Sequence, residues 1–197
     1  MRIRSLMMVG VTLALPLAEP LPARTIFPPE GSSGGSAWDD HCPQDKFLVG
    51  FRGRYSRGKP ILGAPGTINS IRIVCASLSA AGKRGVLWYG PERGGSGGDY
   101  QEFSCPSGAG VMAYDPGTKN TPRGWVIDYV DARCVSRING ARTRFRFGHD
   151  GSPAEPSNSP PFNQQCPAGE SGSGINGRSN GSGVLAIGLD CAIRQPI

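Results

Sequence analysis

Apolar and polar positions in this chain alternate in short runs that begin or end at cysteines. Phe47-Leu48-Val49-Gly50-Phe51-Arg52-Gly53-Arg54 follows Cys42-Pro43, and Ile68-Asn69-Ser70-Ile71-Arg72-Ile73-Val74 leads into Cys75. A period of two sends alternate side chains to one face, so both runs predict strands. The same plan recurs from Cys105 to Cys134 and from Cys166 to Cys191. Pro43, Pro106 and Pro167 follow the opening cysteines; further on, Gly50, Ala113 and Gly174 align, then Phe51, Tyr114 and Ile175. Ahead of the closing cysteines the apolar columns are Ile68, Ile127 and Val184, then Ile71, Val130 and Ile187, then Ile73, Ala132 and Leu189. The spacing of the last two columns marks one buried strand face. No run carries a helical period of useful length; Ser77–Lys83 comes nearest, as a short helical stretch.

Each copy holds strands beyond the two at its cysteines. Val86-Leu87-Trp88-Tyr89 and Arg144-Phe145-Arg146-Phe147 are candidates, each followed by a glycine-rich turn. A unit therefore reads as an opening strand, a closing strand and then a hairpin around a glycine loop. The third unit runs out of chain soon after Cys191. Thr25-Ile26-Phe27 reads as its missing strand, so the N- and C-terminal strands are expected to meet in one sheet and hide an edge. The units cover about residues 31–93, 94–154 and 155–197, the last completed by 24–30, within a single domain of 24–197. Glycine pairs at Gly34-Gly35 and Gly97-Gly98 precede Cys42 and Cys105 in register, and Asn158-Ser159 stands at that place in the third copy.

Composition changes this picture in two ways. Gly (30) and Pro (18) form nearly a quarter of the 197 residues, which the repeat assigns to a loop-rich all-β fold and not to disorder. Residues 1–23 read as a secretory signal: Arg2 and Arg4 precede an apolar run, Leu6 to Ala18, too short to span a bilayer, and Ala18 or Ala23 is a cleavage point. The protein is then expected to be secreted, or periplasmic in a bacterium, with no membrane span. The net charge of +6 falls to about +5 after cleavage. That balance favours acidic polysaccharide over nucleic acid as a partner.

Six cysteines allow fifteen connectivities. The repeat selects Cys42–Cys75, Cys105–Cys134 and Cys166–Cys191, because equivalent units close in equivalent ways. Neither a CxxC nor a Cys/His cluster is present, so the cysteines predict no metal and no redox cofactor.

The pattern Cys-Pro, an apolar strand ending in Gly-Phe, a variable loop and Ile-Asn-Ser-Ile-Arg-Ile-Val-Cys resembles the vitelline membrane outer layer protein I family. Gly34-Gly35-Ser36-Ala37-Trp38-Asp39-Asp40 and Leu48-Val49-Gly50-Phe51-Arg52-Gly53 are similar to stretches of the jacalin-like lectins. Both resemblances imply a threefold-symmetric β-prism of three four-stranded Greek-key sheets. The lectins bind sugar through a Gly-x-x-x-Asp loop beside a glycine-pair loop. One such loop stands here, Gly124-Trp125-Val126-Ile127-Asp128, so the resemblance implies Gly124, Trp125, Val126 and Asp128 as sugar-binding residues. In the first copy Pro65 and Asn69 replace the Gly and Asp, and in the third Leu185 replaces the Asp. The loop expected to face Gly124–Asp128 is Gly148-His149-Asp150-Gly151, which lacks a glycine pair, while the intact pairs face the altered loops.

Further chemistry is sparse. Asp39-Asp40-His41 reads as an exposed strand-turn more readily than as a cation site. Two histidines in the whole chain argue against a Ser/His/Asp hydrolase despite His149-Asp150. A glycosidase needs two facing carboxylates, and Asp115, Asp128 and Asp131 are the candidates. Arg142, Arg144 and Arg146 alternate with Thr143, Phe145 and Phe147, which sets three arginines on one strand face: a solvated face, or an anion-binding stripe joined by Arg52, Arg54 and Arg57. Asn180-Gly181-Ser182 is a glycosylation sequon, meaningful only in a eukaryotic secretory pathway. The reading is a non-enzymatic glycan- or matrix-binding protein. A structural coat component acting on extracellular protein partners, or a polysaccharide-active enzyme, are the alternatives.

Overall fold

The computed structural model describes residues 24–58, 66–121, 124–148 and 162–193. The leader, most of the first copy's variable loop and the His149-Asp150 pair lie outside them. Every regular element described is a strand: β1 (Arg24–Ile26), β2 (Glu30–Gly31), β3 (Ser36–His41), β4 (Phe47–Ser56), β5 (Thr67–Leu78), β6 (Arg84–Tyr89), β7 (Arg93–Gly94), β8 (Asp99–Ser104), β9 (Ala109–Thr121), β10 (Gly124–Ser136), β11 (Arg142–Gly148), β12 (Gln164–Gln165), β13 (Glu170–Asn180) and β14 (Gly183–Ile193). They form three antiparallel sheets in a β-prism. Sheet I has the order β6-β5-β4-β8 with β7 also on β5, sheet II the order β11-β10-β9-β12, and sheet III the order β1-β14-β13-β3 with β2 also on β14.

The central pair of each sheet is the strand pair that the repeat marked at its cysteines. Phe51, Tyr114 and Ile175 are buried, as are all nine residues of the closing columns, in one core shared by the three sheets. Phe145 and Phe147 pack there from β11, the inward face of the Arg/Phe alternation. The disulfides are Cys42–Cys75, Cys105–Cys134 and Cys166–Cys191, as the repeat requires. They close separations of 33, 29 and 25 residues. Chain-entropy arithmetic assigns about 3.5–4 kcal/mol to each such closure.

The N-terminal strand closes the ring. Arg24, Thr25 and Ile26 pair with Ala192, Cys191 and Asp190 of β14, and Phe27 N–H donates to the Leu189 carbonyl at 3.0 Å. Two expectations change. The third and fourth strands of a unit do not pair as a hairpin: β6 adds to β5 and β8 to β4, on opposite edges, in Greek-key fashion. The strand before each opening cysteine therefore belongs to the preceding sheet, and β3 completes sheet III. No helix forms at Ser77–Lys83; Ser77 and Leu78 extend β5, and Ser79–Lys83 is a tight turn closed by the Ser79 N–H on the Lys83 carbonyl. Alternating burial of Ser77, Leu78 and Ser79 follows the strand period, which outweighs the weak helical propensity of so short a stretch.

Sheet I differs from the others in its outer face. Phe47, Val49, Val74, Ala76 and Leu78 form a second buried cluster there, with Leu87 and Tyr89 packed against it. Between sheets, Arg93 of β7 holds the buried Asp40 of β3 through two hydrogen bonds of 2.6 and 2.8 Å. This pair ties sheet I to sheet III, and the carboxylate raises the arginine's already high pKa.

Candidate functional site

Each central strand pair carries two register shifts at threefold-equivalent places. The first, near the disulfide, falls at Val49, Met112 and Ser173. The second lies near the opposite end and skips Asn69, Asp128 and Leu185. A bulge leaves its residue out of the ladder and re-aims its side chain. The position at which Gly124–Asp128 resembles a sugar loop is therefore the bulge position in all three sheets.

A glycine with positive φ lies against each of these bulges: Gly94 (φ 111°), Gly148 (φ 84°) and Gly31 (φ 133°). A Cβ at any of them would collide with the backbone at Asn69, Asp128 or Leu185 respectively. The loops that follow approach the bulges as the repeat order predicts. Gly97-Gly98 lies beside Asn69, and Gly34-Gly35 beside Leu185. Gly148 lies beside Asp128, and counting from it, as the pairs are counted from Gly31 and Gly94, the residues three and four further on are Gly151-Ser152, outside the described chain.

The three ends differ in chemistry. Arg178 donates to the Gly34 carbonyl at 2.9 Å and to the Gly35 carbonyl at 3.0 Å. Its threefold counterpart Arg54 donates to the Gly98 carbonyl at 3.3 Å and stacks on Tyr100, 3.9 Å from the ring centre. Asn69, beside them, is buried with its amide turned to the Ser56 hydroxyl. In sheet II the column of Arg54 and Arg178 is Gly117, as the pairing of Gly117 with Tyr129 shows. The absent side chain gives room to the Tyr129 ring, which would collide with any Cβ at 117. Trp125, at the tip of β10, is 48% exposed, while Asp128 and Val126 are partly buried. The exposed indole is a flat apolar surface, and the carboxylate three residues further along the strand is a hydrogen-bond acceptor.

The arginine stripe is outward-facing but not free of partners. Asp131, buried on β10, takes Arg144 and also takes Arg146 at 2.7 and 2.9 Å. Arg146 lies 4.1 Å over the Tyr129 ring and is held charged by Asp131, with Tyr129 and Asp128 adding to the same field. Arg142 stays exposed. Its charge, after burial, is what lowers the pKa of the neighbouring Arg133. Of the carboxylates that suggested a glycosidase, Asp131 is thus committed to two arginines. Asp115 faces it across the ladder, where burial first, then Glu30 and Asp131, raise its pKa.

Asp39-Asp40-His41 is divided by strand alternation. Asp40 turns inward to Arg93. Asp39 and His41 turn outward and meet Asp190 of β14, a group that sequence spacing did not connect with them. Arg24 stands among the three, 2.9 Å from Asp190 and 3.5 Å from Asp39. At the sequon, the Asn180 side chain accepts from the Ser182 and Gly183 amides and caps an exposed turn.

No family model and no curated protein matches the chain. Solved structures do match it. Malaysian banana lectin superposes with a TM-score of 0.53 at 18% identity, over 88% of this chain and 99% of that one. Calystegia sepium agglutinin gives 0.55 at 17%, over 89% and 100%. Artocarpin, described as a lectin with mannose specificity, gives 0.56 at 12%, over 88% and 99%. The fold is that of the jacalin-related β-prism lectins. The jacalin-like resemblance is thereby supported at the level of architecture.

Proposed function

We propose that this protein is a secreted, non-enzymatic lectin that binds a neutral or acidic glycan at the Gly124–Asp128 end of sheet II. The observation that carries the reading is an exposed Trp125 three residues from Asp128, at a bulge where Gly117 stands in the column that Arg54 and Arg178 occupy in the other sheets. The indole takes the C–H face of a sugar ring, the carboxylate and loop amides take its hydroxyls, and Val126 borders the ring. Gly124 opens the Gly-x-x-x-Asp loop that the resemblance implies. Arg142, with Arg144 and Arg146 above it on β11, meets anionic groups on a longer chain. Residues 1–23 act as the export signal of a single domain, and three disulfides suit an oxidising compartment. A structural coat component, the alternative that the resemblance to the vitelline membrane outer layer protein I family implies, would act through protein contacts.

A glycan array with oxidised protein tests this. Saturable binding that falls at least tenfold in Trp125→Ala, with unchanged Tm, is the expected result. An array without binding, or binding indifferent to Trp125→Ala and Asp128→Asn, would overturn the reading.

A further inference from the structure

A cleft of about 260 Å³ opens at the other end of the prism, over the turn from β5 to β6. It is lined by Ser77, Ser79, Lys83, Arg84 and Gly85. β5 begins at the Asn69 bulge and ends here, so the length of the strand separates this cleft from the sugar-loop ends. Two cations and two hydroxyls line it, with no carboxylate.

The cationic lining is built and not incidental. Arg84 donates from one nitrogen to the Ser104 hydroxyl at 3.0 Å and from the other to the Cys105 carbonyl. Both acceptors are neutral, so the guanidinium is fixed in place while its charge stays uncompensated. Five N–H groups leave further donors for a ligand. The turn is braced as well. Lys83 N–H donates to the Ser79 hydroxyl at 3.0 Å, Gly82 N–H donates to the Ser79 carbonyl at 2.9 Å, and Gly82 has φ +75°. Among the described residues no acid pairs with Lys83 or Arg84. The two glutamates of this sheet's outer face serve other arginines: Glu92 lies 3.7 Å from Arg54, and Glu102 lies 3.5 Å from Arg52. Gly85 has ordinary backbone angles, so its backbone does not demand glycine. What a side chain there would strike is the Ser77 hydroxyl. The glycine keeps that hydroxyl open to the cleft.

We infer that this cleft is an oxyanion site for a sulfate or phosphate monoester. The lysine and arginine supply charge, and the serine hydroxyls supply neutral donors to the remaining oxygens. Its volume lies below the roughly 300–1,000 Å³ of drug-sized sites, which suits one charged group and part of the ring bearing it. The site does not depend on sugar binding at Gly124–Asp128.

The test is an amide-resolved NMR titration of the oxidised protein at constant ionic strength. The probes are sodium sulfate, sodium phosphate, galactose 6-sulfate, galactose 6-phosphate and galactose. Saturable shifts of Ser79, Lys83 and Gly85 with the anions and not with galactose are expected. They should weaken at least tenfold in Lys83→Glu and in Gly85→Ala, whose added methyl crowds Ser77. Esters binding tenfold more tightly than the inorganic ions identify a sulfated or phosphorylated carbohydrate. Equal binding identifies a free-anion site. Absence of saturable shifts, or shifts that persist unchanged in Lys83→Glu, would overturn the proposal. Asp128→Leu protein should keep these shifts, which separates this test from the lectin reading.

Discussion

Two ends of the same building block have followed opposite courses. Beside β14 and β5 the glycine pairs survive, an arginine grips their carbonyls, and the bulge carries Leu185 or Asn69. Beside β10 the bulge keeps Asp128, and the arginine column is Gly117. The backbone at all three places is alike because the core columns and disulfides constrain it. The bulge side chain and the arginine bear little on that core, so they are free to diverge. An arginine bound to loop carbonyls fills the space and the hydrogen bonds that a ligand would use. The end without it is the one where an indole stands exposed.

Exchange of residues between the ends should sharpen this contrast most. Asp128→Leu makes the second end like the third, and its glycan affinity should drop by about 100-fold or more, as when a site loses a charged hydrogen-bond partner. Calorimetry on the ligand found by the array measures it, and a loss under threefold would break the comparison. The reverse pair, Leu185→Asp with Arg178→Ala, should add a second, weaker site, seen as a rise in stoichiometry.

A smaller effect isolates the arginine. Arg178→Ala leaves the Gly34 and Gly35 carbonyls to solvent and should cost about 1 kcal/mol, since the bonds are charge-assisted but exposed. Denaturant unfolding would report it as a shift of midpoint at constant slope. No change would show that water satisfies these carbonyls equally well.

The smallest effect concerns Asp115, on the strand beside the open end. Its pKa is raised in the folded protein by burial and by Glu30 and Asp131. A raised carboxyl pKa means that folding favours the protonated form. The group therefore weakens the fold above its folded pKa, and the penalty disappears as pH falls below the unfolded value of about 3.8. Asp115→Asn should raise Tm slightly at pH 7 and leave it unchanged near pH 3. A Tm gain that persists at pH 3 would assign the effect to something other than charge.

Much of the architecture was legible in the chain. Period-two runs and cysteine columns specify which side chains face inward, and equivalent cysteines specify the pairing. The missing strand at Thr25–Phe27 followed from counting. These are local or repeated signals, and the hydrophobic effect reads them directly. The site was legible in part. Gly124–Asp128 was visible as a motif, and the facing of glycine pairs on altered loops followed from the repeat order.

Other features were not legible, for reasons of distance along the chain. The expected hairpin became a Greek key because β6 and β8 find opposite edges of one strand pair, and edge choice is a long-range decision. Alternation could place Arg144 and Arg146 outward, but only packing could seat both on Asp131. Asp190 joins Asp39 and His41 across more than 140 residues of chain, and Arg93 finds Asp40 from another sheet. The sequence by itself determined the strands, the core face, the disulfides and the closing of the ring, because each follows from spacing within one unit or from counting the strands of equivalent units. The tertiary structure alone decided which charges are spent on partners and which remain open. Charge compensation depends on three-dimensional neighbours: at the Gly124–Asp128 end the arginine of the other two ends is replaced by Gly117, a strand away, and its room is taken by the Tyr129 ring.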